Sequence, residues 1–100
     1  MERLNYEVRL LFVSYNKNIA DNIIAGIEEE GVPWGIAIDR SELFSKLGIG
    51  LVVNNDSVAL HITQWQLPYL SIDNCNEETA RRMGENAARL AKNLPLHNIK

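Results

Sequence analysis

A length of one hundred residues sets the scale of a single domain with one core, and 46% apolar content is that of a folded globular chain. The formal net charge of -3 and a pI near 5.3 supply no basic footprint, which argues against nucleic acid as a partner. No apolar run approaches the ~20 residues that span a bilayer, no apolar signal segment opens the chain, and the lone Cys75 excludes an internal disulfide framework. The expectation is one cytoplasmic domain over residues 1–100, without a membrane partner.

Glu7 to Val13 reads as a first strand. Ser14, Asn16 and Asn18 then offer N-caps, and Asn18 places Asp21 at the third helical position. Ile19, Ile23 and Ile27 recur every four residues, widened by Ala20 and Ile24, so an amphipathic helix packs one face on a sheet. Gly31 suits the left-handed residue that closes it, and Pro33 forbids continuation.

Trp34 to Ile38 reads as a second strand. Ser41 is expected to cap a short helix over 42–46, and Ile49 to Val53 has the unbroken apolar character of a buried strand. Asn54-Asn55-Asp56-Ser57 predicts a hairpin turn. From Val58 to Thr63 the alternation puts Val58, Leu60 and Ile62 on one face and Ala59, His61 and Thr63 on the other. Trp65 to Pro68 reads as a loop, a second candidate docking surface if its tryptophan is exposed, and Tyr69 to Ile72 as a last strand. Asn74 or Asn76 caps a long helix with the stripe Ala80, Met83, Ala87, Leu90 and Leu94, stopped by Pro95. Strands alternating with helices imply a mostly parallel sheet, in which the hairpin makes one strand antiparallel.

Chemical motifs are scarce. There is no Cys-x-x-Cys and no His-x-x-x-His, and His61 and His97 fall on different elements. Cys75 has no partner base in its sequence context, so an inert turn residue is the favoured reading. Gly48-Ile49-Gly50 lacks a third glycine and precedes a strand, which favours close strand packing over phosphate binding. Arg81 and Arg82 are accounted for by pairs with Glu77 and Glu78 four residues back.

One feature resists a purely structural explanation. Glu28, Glu29 and Glu30 occupy the last turn of the first helix, where the partial negative charge of the helix end disfavours carboxylates. Ile24, Ala25 and Gly26 stand four residues back, so the helix itself offers no compensating cation. At 100° per residue Glu29 projects nearly opposite Ile27, above a face of Asn22, Ala25 and Gly26. That predicts a flat, small-residue surface ending in a carboxylate, suited to a docking partner or a hard cation.

Gly26-Ile27-Glu28-Glu29-Glu30-Gly31-Val32-Pro33-Trp34, taken with Asn86-Ala87-Ala88-Arg89-Leu90-Ala91-Lys92 and Pro95-Leu96, resembles the small subunit of the reactivating factor for cobalamin-dependent diol and glycerol dehydratases. His61 matches a further family position, and between Ile38 and Gly50 the chain runs shorter than typical members. The resemblance implies a three-layer α/β/α fold whose five-stranded mixed sheet has one antiparallel strand. It implies a non-catalytic subunit that assembles with a large, actin-like ATPase subunit into a heterotetramer and exchanges transiently with dehydratase subunits to release damaged cofactor. It implies no cofactor of the chain's own. Glu29, the middle glutamate, is implied to complete a divalent metal site, Mg2+ or Ca2+, shared with the large subunit, within an interface of Asn22, Ala25, Gly26, Glu28, Glu29 and Glu30. Two other readings stand beside this one. The first is the dehydratase medium subunit itself, disfavoured by the lack of sequence before the first strand. The second is a small-molecule-binding domain, with its ligand near Ser14 to Asn18 and Asp39 to Ser41.

Overall fold

The computed structural model describes residues 7–44, 48–62 and 68–98. Five strands, β1 (Val8–Ser14), β2 (Trp34–Ile36), β3 (Ile49–Asn54), β4 (Ser57–Ile62) and β5 (Leu70–Ile72), form one sheet in the order β2-β1-β3-β4-β5. β1 is parallel to β2 and β3, while β4 is antiparallel to β3 and β5. The expected mixed sheet with one antiparallel strand is therefore present. Helices α1 (Lys17–Glu29) and α3 (Glu77–Ala91) cover one face, and the four-residue α2 (Arg40–Leu43) packs on the other.

Alternation along the strands divides the core. Val8, Leu10, Leu51, Val53, Val58 and Leu60 meet Ile19, Ile23 and Ile27 of α1 and Ala80, Met83 and Ala87 of α3. On the opposite face, among the described residues, Leu11, Ala37, Leu43 and Val52 form a smaller buried cluster. The two long helices lie unusually close. A Cβ on Gly84 would stand 2.0 Å from the Ile23 carbonyl oxygen, and one on Gly26 would stand 2.2 Å from the Arg81 carbonyl oxygen. Glycine is required at this crossing because backbone meets backbone.

Several boundaries differ from expectation. Asn16, not Asn18, caps α1, accepting from Ile19 N at 3.4 Å, and Lys17 pairs with Asp21 instead. Asp39, not Ser41, caps α2: its backbone is extended and its Oδ1 accepts from Glu42 N at 2.9 Å, while Ser41 already lies within the first turn. Residues 45–47, which include the predicted end of that helix, lie outside the described set, as do Thr63 and the Trp65–Leu67 part of the predicted loop. β2 stops at Ile36, and the hairpin tightens to Asn55-Asp56, with Asn55 in the left-handed region at φ 57. Asn76 caps α3 in a reciprocal box with Thr79. The helix ends at Ala91, four residues before Pro95, so Leu94 is 41% exposed and falls outside the buried stripe.

Candidate functional site

The acidic end of α1 lies against the outer flank of α3, and there the expected absence of compensation fails. The sequence offers no cation in the last turn of α1, but α3 and the segment after it deliver Arg81, Arg89 and Lys92, together with the His97 imidazole. Arg81 reaches Glu29 with both Nε, at 3.0 Å, and Nη2, at 2.5 Å, on the same oxygen, Oε2. Glu30 receives Arg89 and Lys92, each at 3.3 Å, with His97 at 4.0 Å. Lys92 also donates to the Glu30 backbone carbonyl at 2.7 Å, so it occupies the negative end of the helix directly. Glu28 accepts a hydrogen bond from the half-buried Trp34 indole at 3.1 Å.

The three carboxylates are consequently not equivalent. Glu30 is mostly covered; burial pushes its carboxyl upward, but Lys92 and Arg89 outweigh that and hold it below the ordinary carboxylate range. Glu29 remains 44% exposed at its side chain, and the Arg81 guanidinium, with a hydrogen bond from Glu85, lowers its carboxyl. Glu85 is moved the other way: burial and the neighbouring Glu29 both raise it. The pair thus resolves into an ionised outer carboxylate and an inner carboxyl that keeps its proton more readily.

The small-residue platform is only partly as expected. Asn22 and Ala25 are half-buried on the outer side of α1, and the Asn22 side chain donates to the Asn18 carbonyl at 2.9 Å. Gly26 is not on that surface: it is buried in the crossing with α3, where it permits the contact that brings Arg81 to Glu29. Helix periodicity placed Gly26 beside Glu29 correctly, but it could not say that a second helix would cover it. Arg82 makes the expected pair with Glu78, at 3.8 Å, whereas Arg81 bypasses Glu77 for Glu29.

Sequence reasoning did not assign Arg81, Glu85, Arg89, Lys92 and His97 to this site. For Arg89 and Lys92 the signal was the motif pair itself, because the Gly26–Trp34 and Asn86–Lys92 segments meet through Glu30. Buried Asn86 secures the chain beyond α3, accepting from His97 N at 2.6 Å and donating to His97 O at 3.1 Å. Beside Glu29 lies an open groove of about 330 Å³ lined by Glu78, Arg81, Arg82, Glu85 and His97.

The remaining candidates are quiet. Cys75 is buried and its thiol is pushed up by burial, which opposes thiolate chemistry. Gly50 admits Leu43, whose Cδ1 would stand 2.9 Å from an added Cβ, as strand packing predicts. Near the C-terminal ends of the central strands lies a groove of about 200 Å³ whose lining includes Arg40 and none of Ser14 to Asn18. No helix among the described residues is long and apolar enough to cross a membrane.

A family model described as dehydratase medium subunit matches residues 8–97. No curated protein matches the chain in sequence. Among solved structures, a glycerol dehydratase reactivase chain superposes with a TM-score of 0.79 at 21% identity, covering 95% of this chain and 99% of its own. A chain from a diol dehydratase-reactivating factor complexed with ADP and Mg2+ gives a TM-score of 0.73 at 19% identity, covering 96% and 100%.

Proposed function

Because the chain belongs to the dehydratase medium-subunit family, we propose that it is the small, non-catalytic subunit of a chaperone-like reactivating factor for a cobalamin-dependent diol or glycerol dehydratase. In this reading it works in the cytoplasm, binds a large ATPase subunit, and exchanges with the dehydratase medium subunit so that damaged cofactor can leave. The fold match to reactivase chains along essentially their whole length supports it. The observation that carries it is Glu29: an ionised, half-exposed carboxylate held on a rigid helix crossing, in the motif that resembles the reactivase signature.

The carboxylate suits a shared Mg2+ or Ca2+, since both cations take hard oxygen ligands. Among the described residues no group of three or more His, Cys, Asp or Glu is arranged to hold a metal ion. Glu29 therefore fits as one oxygen donor, with the other ligands supplied by the partner. A cation bound there would join the two subunits through charge. Asn22, Ala25, Glu28 and Glu30 would flank that contact, with Gly26 fixing the helix beneath it.

The family description also accommodates a second reading, the dehydratase medium subunit. Co-expression with either the large reactivase subunit or the remaining dehydratase subunits, followed by size-exclusion chromatography, separates the two. The proposal expects a heterotetramer with the ATPase subunit. Stable co-elution with the dehydratase subunits alone would overturn it.

A further inference from the structure

Glu29 is not a free ligand in the isolated chain. Arg81 donates two hydrogen bonds to a single one of its oxygens, and both side chains remain 44–45% exposed. The pair is anchored from below, because the Arg81 carbonyl is the atom against which Gly26 packs, so the two backbones are fixed at closest approach. Arg81 holds Oε2 alone, so a cationic group that takes the Glu29 carboxylate through both oxygens must displace this guanidinium, and one that takes Oε1 must sit beside its positive charge.

The structure also provides somewhere for it to go. Along α3, Glu77 and Glu78 lie four and three residues before Arg81, and Glu85 lies four after it. These are the spacings at which helix side chains meet. Glu78, which Arg82 approaches at 3.8 Å, and Glu85 line the open groove beside Arg81 together with Arg82 and His97, so a guanidinium that swings into it keeps acidic neighbours but shares them. Displacement exchanges one exposed ion pair for another, and such pairs are weak.

We infer that Arg81 is an intramolecular latch on Glu29: it holds the carboxylate in the free subunit and swings onto the acids of α3 when the partner's cationic site engages. The inference rests on the proposed role of Glu29 as a ligand at the subunit interface. It makes Arg81 a competitor of the partner, so removing it strengthens assembly.

The test measures binding of the full chain to the purified large ATPase subunit with Mg2+ present, by calorimetry, and the Mg2+ content of the isolated complex. Arg81→Gln should bind about two- to fivefold tighter. Glu29→Gln should bind more weakly and lower the metal content, and adding Arg81→Gln to it should change nothing further. Arg81→Lys, which keeps the charge, should remain close to the wild type and guards against a packing effect. If Glu29→Gln weakens binding while Arg81→Gln leaves it unchanged or weakens it, the latch is wrong and the ligand role survives. If Glu29→Gln alters neither affinity nor metal content, the ligand role fails and the latch fails with it.

Discussion

The two faces of the sheet are built on different terms. One is covered by thirteen- and fifteen-residue helices that press backbone to backbone at Gly26 and Gly84 and bury a continuous aliphatic layer. The other is covered by a four-residue helix whose Leu43 packs with Leu11, Ala37 and Val52, and it leaves Val13 56% exposed. The second face also buries polar atoms that have no hydrogen-bond partner among the described residues, Arg9 Nε and His61 Nδ1. These two residues flank Gly50 in one cross-strand row, beneath Leu43. The thick face thus acts as anchor and also positions the acidic site, while the thin face holds most of the polar compromise. The cost of a change should therefore depend on which face receives it.

Gly84→Ala tests the anchoring role of the thick face most directly. Alanine favours a helix over glycine by about 1 kcal/mol, but here its methyl group would meet the Ile23 carbonyl oxygen. Neither backbone can yield without separating the helices, so steric overlap wins and a net loss of about 3 kcal/mol is expected by urea denaturation. A neutral or stabilising result would mean that the crossing is looser than described. A smaller effect, a difference of about 2 kcal/mol, is expected between Ile23→Ala and Leu43→Ala, both fully buried. The rigid α1–α3 layer cannot collapse into the first cavity, so a loss of about 4 kcal/mol is expected. The short α2 can settle onto the sheet, which limits the second to about 2 kcal/mol. Equal losses would erase the asymmetry.

How far the sequence disclosed each face follows from the same contrast. The isoleucine stripe of α1 and the Ala80, Met83 and Ala87 stripe of α3 were visible because long helices repeat their pattern enough times to be recognised. The short α2 has barely one turn, so its cap was misplaced by two residues. The hairpin was legible because Asn55 is one of the few non-glycine types that enter the left-handed region readily. At the site, the helical wheel located Glu29, but its pairing with Arg81 joins positions 52 apart in the chain. Periodicity within one helix carries no information about such a contact. The charge imbalance at the end of α1 was a real signal, but its solution lay on a different helix.

The thin face should reveal itself most delicately through acid. His61 is 7% exposed, and its ring meets Phe44 edge-on at a centroid distance of 5.2 Å. Burial, with a smaller contribution from the positive charge of Arg40, pushes its imidazole below the ordinary value. Arg9 of β1 adds a second cation in the same row, partly answered by Glu42 at 3.4 Å and Glu7 at 3.9 Å. The unfolded chain therefore takes up a proton at this histidine before the folded one does. Stability is expected to fall as pH drops below about 6.5, and to keep falling until the folded imidazole also titrates. Glu85 works in the opposite sense, because its raised carboxyl accepts a proton more readily in the fold. The informative quantity is hence the difference between the wild type and His61→Phe in melting temperature at pH 7.5 and pH 5.5. The wild type should lose more on acidification than the variant. Identical losses would show that the buried imidazole finds an acceptor for its second proton, and that the thin face tolerates charge as well as the thick one does.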